Sequence, residues 1–373
     1  MPPISVLIKP ASGLCNMRCR YCFYSDEISR REVQSYGIMS PETSEALVRR
    51  IFEYATSDVS IAFQGGEPTL AGAQYFERFT ELVGRYNTKG LRVSYSIQTN
   101  GYEVSDELCA ILKKHKFLAG VSLDGSSAVH DSLRWDAADD GTFKRVNGTI
   151  KKFTEYGIDF NILTVVTAAV CKNISKIYPY FKSRNFKFLQ FIKYINGLGE
   201  CGESFAPTEQ QYTQFLCTAF GYYYDDFMAG RYISVREFDN FVMLAAGRDA
   251  ECCGMNGVCS RNLVIEADGS AYPCDFYVLD EWRLGNVHDT SIAELYETEN
   301  AMRFIGRSRS VSDECRKCRF FLLCRGGCIR YRESAGTNAL GEFSYCKSYY
   351  EFFDRNALRI LDLSKYAKAR RAF

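Results

Sequence analysis

Three cysteines near the start of the chain have the types and spacing for metal-cluster chemistry. Cys15, Cys19 and Cys22 form the pattern C-x3-C-x2-C within eight residues. Three thiolates so spaced can bind three irons of a cubane iron–sulfur cluster and leave the fourth iron open. An open coordination position is what a catalytic metal centre requires. Zinc usually takes two separated C-x2-C pairs, so the isolated triplet fits zinc poorly and predicts a catalytic cluster.

A second group of eight cysteines lies in the last third of the chain and suffices for two four-thiolate sites. Its members are Cys253, Cys259, Cys274, Cys315, Cys318, Cys324, Cys328 and Cys346. Cys252 stands beside Cys253, so the spacing leaves the first ligand open. Zinc is the alternative metal here, which would make the chain a zinc-ribbon interaction protein on an α/β scaffold. The cysteines outside both groups, predicted to be packing residues, are Cys109, Cys171, Cys201 and Cys217.

Composition limits the possible functions of the chain. The 373 residues carry 46 Lys plus Arg against 45 Asp plus Glu, a formal net charge of +1, which argues against a dominant basic field for nucleic acid. No apolar run reaches the length of a membrane span, and the first residues lack the features of a signal peptide. We therefore expect a cytoplasmic protein whose 16 cysteines are thiols and not a disulfide framework.

Strands that alternate with helices must position these cysteines. Apolar runs predict six strands, at 4–9, 59–64, 91–98, 117–123, 158–167 and 186–194. Helical periodicity lies between them, at 41–55, 73–86, 105–115, 142–156 and 174–183. This alternation predicts βαβ units with a parallel sheet, as an open partial (β/α)6 barrel or, alternatively, a flat doubly wound sheet. Further on, Asp268-Gly269 predicts a hairpin over 263–274.

Polar segments follow the first four predicted strands. The cysteine triplet follows the first strand, and Gln64-Gly65-Gly66-Glu67-Pro68 follows the second. Gln98-Thr99-Asn100-Gly101 ends the third, and Ser122-Leu123-Asp124-Gly125 ends the fourth. Single Asn-Gly or Asp-Gly pairs are ordinary turns. Four polar segments at the carboxyl ends of parallel strands predict an active site there.

The triplet, with aromatic Tyr21 before its last cysteine, resembles the hallmark of radical S-adenosylmethionine (SAM) enzymes. The segment 65–68 matches that family's G-G-E-P element, which binds the methionine amino group. Glycines allow close backbone approach, and an arginine fork suits the methionine carboxylate. The resemblance implies a SAM-binding 4Fe–4S cluster on Cys15, Cys19 and Cys22. It also implies SAM contacts from Tyr21, Gly65, Gly66, Glu67, Ser122, Arg134 and Ile195.

The later cysteines resemble the SPASM extension of radical SAM enzymes, which carries two auxiliary 4Fe–4S clusters. This resemblance implies domains at 1–235 (partial barrel) and 236–350 (SPASM), with a helical tail at 351–373. The implied first auxiliary cluster is held by Cys253, Cys259, Cys274 and Cys328. The implied second is held by Cys315, Cys318, Cys324 and Cys346. Cys328 thus lies in one cluster's run yet serves the other, as in two-cluster ferredoxins.

Matching segments spread over nearly the whole chain, above all 36–39, 63–70 and 272–286, resemble the anaerobic sulfatase-maturating enzymes. That family oxidises a sulfatase cysteine or serine, in a Cys/Ser-x-Pro/Ala-x-Arg type motif, to Cα-formylglycine. The resemblance makes Asp275 the general base, with Asp280 as a rival. Tyr24, Gln64 and Gln98 are candidate peptide contacts. Flavodoxin or ferredoxin is the expected electron donor.

A second radical SAM function is possible for such a chain. SPASM enzymes also form a thioether, a cyclophane or an epimerised residue in small peptides. Leader-binding domains common in those peptide maturases are not evident, since the first cluster ligand is already Cys15. That observation favours the sulfatase-maturating activity.

Overall fold

The computed structural model describes residues 3–198, 204–333 and 340–370, with side chains up to Ala367. Cys201 lies outside the described residues. The strands in the described part are β1 (Ile4–Ile8), β2 (Val59–Phe63), β3 (Val93–Thr99), β4 (Leu118–Ser122), β5 (Phe160–Val166), β6 (Phe188–Lys193), β7 (Ser234–Val235), β8 (Leu263–Ile265), β9 (Ser270–Tyr272) and β10 (Gly285–Asn286).

Helices follow most of these strands. They are α1 (Phe23–Ser29), α2 (Pro41–Tyr54), α3 (Ala73–Tyr86), α4 (Asp106–Lys114), α5 (Ser127–His130), α6 (Phe143–Tyr156), α7 (Ala168–Ser183), α8 (Glu209–Met228), α9 (Arg236–Ala245), α10 (Ile292–Glu297), α11 (Glu299–Ser308), α12 (Asp313–Lys317), α13 (Phe321–Cys324) and α14 (Cys346–Arg370). No described helix is long and apolar enough to cross a membrane.

The six predicted strands correspond to β1 to β6, and the predicted alternation with helices is confirmed. One helix boundary differs from the prediction. Apolar periodicity placed the start of α7 at Ile174, whereas the helix begins at Ala168, directly after a cap at Thr167. The Thr167 hydroxyl accepts a hydrogen bond from the Val170 amide, which satisfies one of the unpaired N–H groups of the first turn.

The chain folds into two compact units. The first comprises Met1–Leu123, His130–Phe160 and Arg261–Phe304. Its strands are ordered β10-β9-β8-β1-β2-β3-β4. Strands β8, β1, β2, β3 and β4 are mutually parallel, whereas β8, β9 and β10 pair antiparallel and include the predicted hairpin. Because β8 lies directly beside β1, segments far apart in sequence end at the same edge of one sheet.

The second unit comprises Asp124–Val129, Asn161–Ser260 and Ile305–Phe373. Within it, β5, β6 and β7 pair in parallel. Helix α8 packs against α7 and α14, and α14 also packs against α9. The contact between these helices is aromatic, with Phe220, Phe238, Phe241 and Phe352 all buried. These rings supply the large apolar area that holds the helices together.

Candidate active site and cluster-binding cysteines

The cysteine triplet lies in the loop between β1 and α1, in the first unit. Nitrogen donors point at two of its sulfurs. The Met17 amide and the Asn100 side chain lie 3.4 and 3.6 Å from Cys15 Sγ, and Arg134 Nη1 lies 3.8 Å from Cys19 Sγ. Burial raises the pKa of the Cys15 thiol to about 11, so a thiolate at this position would need a metal to stabilise it. Soft sulfur donors surrounded by N–H groups fit an iron–sulfur cluster.

The G-G-E-P segment packs its backbone against the start of the cysteine loop. Gly66 has a φ of +51°, and a Cβ there would lie 2.2 Å from the Leu14 carbonyl oxygen, so only glycine fits. The Glu67 amide donates to the same Leu14 oxygen at 2.8 Å. The backbone of the G-G-E-P segment therefore lies beside Cys15 without intervening side chains. Exposed backbone groups of this kind suit the binding of a small polar ligand.

The Glu67 carboxylate is fully buried and hydrogen-bonded within the protein. It accepts from the Thr69 amide at 3.0 Å, the Thr99 hydroxyl at 2.8 Å and the Asn100 amide at 2.7 Å. Burial raises the pKa of Glu67, while these donors oppose the shift. Glu67 therefore ties the loop after β2 to the end of β3, and Asn100 in turn reaches Cys15.

The other predicted SAM contacts fall in different places. The Arg134 guanidinium lies 5.2 Å from the centre of the Tyr21 ring, so these two residues are together beside the triplet. Ser122 ends β4, and its hydroxyl accepts from Gln98 Nε2 at 3.3 Å. Ile195 is buried just beyond β6, in the second unit.

Asp275 lies at the centre of a half-buried hydrogen-bond cluster. The Tyr24 hydroxyl donates to Asp275 Oδ2 at 2.5 Å, and Gln64 Nε2 donates to the same oxygen at 3.0 Å. Gln64 also donates to the Tyr24 oxygen at 2.8 Å. The second carboxylate oxygen, Oδ1, is buried and has no hydrogen-bond partner among the described residues. The sequence predicted these three residues separately, and the structure brings them together; Gln98 is not among them.

Two charged residues that sequence reasoning missed lie beside this cluster. Lys9 follows β1 and is fully buried, and its Nζ lies 3.7 Å from Glu27 Oε2 on α1. The same Nζ lies 4.5 Å from the centre of the Tyr24 ring. Glu27 Oε1 accepts from the Val278 amide at 2.5 Å, which ties α1 to the segment after Asp275. Lys9 ended a predicted strand, a common place for a solvated lysine; the available signal was its position directly after three apolar residues, 6–8.

Burial raises the pKa of each of these groups, and neighbouring charges either oppose that shift or add to it. Burial raises the pKa of Asp275 above its usual range, and the Lys9 ammonium opposes that shift. Burial raises the pKa of Glu27 to about 7, again against Lys9, while the Asp275 charge adds to the increase. Burial and the Asp275 charge hold the pKa of Tyr24 well above its usual value, so Tyr24 remains a proton donor in its hydrogen bond.

The C-terminal cysteines of the second unit fall into two groups of neighbours. Burial raises the pKa of the Cys328 thiol, and the nearby Cys259, Cys253 and Cys252 add to the increase. Burial likewise raises the pKa of Cys324 and Cys346, and for both of these the nearby Cys315 adds to it. The backbone next to Cys253 also lies close to Cys328, since a Cβ added at Gly254 would lie only 3.0 Å from Cys328 Cβ. Cys318 interacts with Cys324.

Cys274 lies in the first unit, directly before Asp275. No group of three Cys, His, Asp or Glu side chains in the described part of the chain is arranged to hold a single metal ion. The assignment of individual cysteines to the two auxiliary clusters stays a prediction.

Comparison with known proteins shows which family the chain resembles. The family model described as Radical SAM superfamily matches residues 10–169. The model of the SPASM iron–sulfur cluster-binding domain matches residues 252–319, inside the predicted segment 236–350. The parallel α/β fold, the triplet and the C-terminal cysteines thus define a radical SAM protein with a SPASM domain.

Individual relatives narrow the class. A cysteine-type anaerobic sulfatase-maturating enzyme of Clostridium perfringens is 44% identical over 99% of this chain and 100% of its own length. A serine-type enzyme of Bacteroides thetaiotaomicron is 26% identical over 95% of this chain and 90% of its own. The solved structure of native anSMEcpe with bound AdoMet and Cp18Cys peptide superposes with a TM-score of 0.93 at 43% identity, covering 98% of this chain and 99% of that one. The chain belongs to the family of anaerobic sulfatase-maturating enzymes.

Proposed function

We propose that this protein oxidises the active-site cysteine of a sulfatase to Cα-formylglycine. The observation that carries the proposal is the half-buried Asp275 carboxylate, oriented through Oδ2 by Tyr24 and Gln64, with its other oxygen, Oδ1, buried. The higher identity to a cysteine-type relative (44%) than to a serine-type one (26%) supports a cysteine substrate. Neither the small-peptide maturase nor the zinc-ribbon alternative is favoured by an observation of comparable weight.

The triplet of cysteines would hold the SAM-binding cluster, with Tyr21, the G-G-E-P segment, Ser122, Arg134 and Ile195 as proposed SAM contacts. When bound, SAM and this cluster supply the radical that removes a hydrogen atom from Cβ of the substrate residue. Gly66 contributes by leaving room for close approach, since any Cβ would meet the Leu14 oxygen. Arg134 contributes a fixed positive charge beside Tyr21.

Asp275 accepts a proton, a step that hydrogen-atom removal alone does not provide. To become a thioaldehyde, the substrate residue must lose one hydrogen atom from Cβ, one proton from sulfur and one electron. We assign the proton to Asp275 Oδ1, because Oδ2 is already engaged and Oδ1 has no partner among the described residues. Water then replaces sulfur, which leaves as hydrogen sulfide and gives the aldehyde. The C-terminal cysteines would hold the auxiliary clusters, which would supply an acceptor for the released electron.

The partners follow from this chemistry. We propose a sulfatase polypeptide with a Cys-x-Pro-x-Arg type motif as substrate, with Gln98 as a further peptide contact. Flavodoxin or ferredoxin is the proposed reductant, and the cytoplasm the proposed location.

Anaerobic incubation with SAM, a reductant and a Cys-x-Pro-x-Arg peptide tests the proposal. Mass spectrometry should show the aldehyde in the cysteine peptide, and more slowly or not at all in its serine counterpart. Formation of 5′-deoxyadenosine without peptide aldehyde would refute the assigned reaction. A metal assay on the same preparation should give roughly twelve irons per chain, whereas zinc would refute the cluster assignment.

A further inference from the structure

Lys9 carries a buried positive charge that forms an ion pair with Glu27 but makes no hydrogen bond within the described part of the chain. Its side chain is 0% exposed, yet Nζ makes no hydrogen bond to any described residue. Glu27 Oε2, at 3.7 Å, is within ion-pair distance but beyond hydrogen-bond distance, and it too is buried without a hydrogen-bond partner among the described residues. Burying an ammonium costs free energy unless nearby charges or polar groups compensate for the lost water.

The side chain of Lys9 packs against Gly65 and extends toward the Tyr24 ring. A Cβ on Gly65 would lie 2.4 Å from Lys9 Cε, so the aliphatic stem fills the space that the glycine leaves. At the end of that stem, Nζ lies over the face of the Tyr24 ring at 4.5 Å from its centre. A desolvated cation in this position attracts the electron-rich face of the ring. The stem and the cation together therefore fix where the Tyr24 ring lies.

The position of the Tyr24 ring in turn determines the orientation of the Asp275 carboxylate, because the Tyr24 hydroxyl donates to it. The ring also contacts Phe23, with centres 4.0 Å apart, and its hydroxyl is fixed on Asp275 Oδ2 at 2.5 Å. A ring held on its face by a cation and at its tip by a carboxylate has little freedom to tilt. Any tilt would move the hydroxyl away from Oδ2 and allow the carboxylate to turn.

We propose that Lys9, held by Glu27, is a positioning residue for the proton-transfer step of the reaction. Its ammonium orients Tyr24, and Tyr24 orients Asp275 so that Oδ1 faces the substrate proton. The inference rests on the proposed function and names a residue that sets its efficiency without touching substrate.

Lys9→Met tests this role because it keeps the stem and removes the charge. We expect 5′-deoxyadenosine to form at a rate near wild type. The yield of aldehyde per 5′-deoxyadenosine should fall roughly tenfold, with kcat lowered and KM for the peptide little changed. Equal losses of SAM cleavage and aldehyde would overturn the inference.

The double variant Lys9→Met/Glu27→Gln separates positioning from folding. It removes both members of the ion pair, so no uncompensated charge is left between them, and the glutamine oxygen can still accept from the Val278 amide. We expect thermal stability to return toward wild type while the aldehyde yield stays low. Return of the yield together with stability would show that Lys9 acts only on folding.

The wild-type reaction run in parallel distinguishes the two levels of failure. Wild type without aldehyde would refute the proposed function itself. Wild type with aldehyde, and an unchanged ratio of aldehyde to 5′-deoxyadenosine in both variants, would refute the role of Lys9 alone.

Discussion

Tyr24→Phe should uncouple SAM cleavage from aldehyde formation. The change keeps the ring and deletes the hydroxyl that donates to Asp275 Oδ2 at 2.5 Å. A hydrogen bond to a charged group contributes about 1.5–3 kcal/mol, which corresponds to roughly 10- to 100-fold in rate if it is lost in the reacting complex. Gln64 still donates to the same oxygen at 3.0 Å, so we expect the lower end, about tenfold.

The assay measures peptide aldehyde by mass spectrometry and 5′-deoxyadenosine by chromatography in the same anaerobic reaction. Tyr75→Phe is the matched control, since it deletes a tyrosine hydroxyl of the same unit that bonds to the Met39 sulfur and to Ser44 and not to Asp275. Tyr24→Phe should lower aldehyde per 5′-deoxyadenosine, and Tyr75→Phe should not. Wild-type aldehyde yield in Tyr24→Phe would refute the orienting role of the hydroxyl.

Three further outcomes follow from the structure. Asp275→Asn should leave 5′-deoxyadenosine formation largely intact and suppress aldehyde; wild-type aldehyde yield would exclude Asp275 as the base. Gly66→Ala should lose SAM cleavage, because its Cβ would meet the Leu14 oxygen at 2.2 Å; unchanged SAM binding in equilibrium dialysis would contradict this. Arg31→Met should destabilise the protein by about 3–5 kcal/mol, since it breaks a 2.7 Å buried ion pair with Glu266. Anaerobic thermal unfolding measures that loss, which Glu266→Gln added to Arg31→Met should partly reverse.

Local patterns in the sequence were enough to predict the parallel core. The runs at 59–63 and 160–166 are apolar, β-branched segments bounded by helical periodicity, and both form strands. The pairing of β8 with β1 could not be predicted this way, because it joins segments far apart in the chain and leaves no local period. The start of α7 was missed because a cap at Thr167, and not apolar spacing, sets it.

The candidate site, like the fold, was predicted in part: its motif residues could be predicted from the sequence, but their mutual contacts could not. Asp275, Tyr24 and Gln64 were predicted from motifs, each beside a cluster-binding or strand-end segment. Their mutual hydrogen bonds depend on the tertiary fold, which sequence spacing does not report. Lys9 and Glu27 were missed because a lysine at a strand end and a glutamate in a short helix are ordinary surface residues until their burial is known.

The pairing of β1 with β8 also has a consequence for synthesis of the protein. Val6 pairs with Leu263, so one edge of β1 has no partner until the ribosome has made most of the chain. At about 5–20 residues per second, that edge is exposed for roughly 10 to 50 s. Exposed strand edges template aggregation, so a chain that stops before residue 263 should need a chaperone to remain in solution. The strand pairing that ends this vulnerable interval also delivers Asp275, three residues beyond β9, to the first unit.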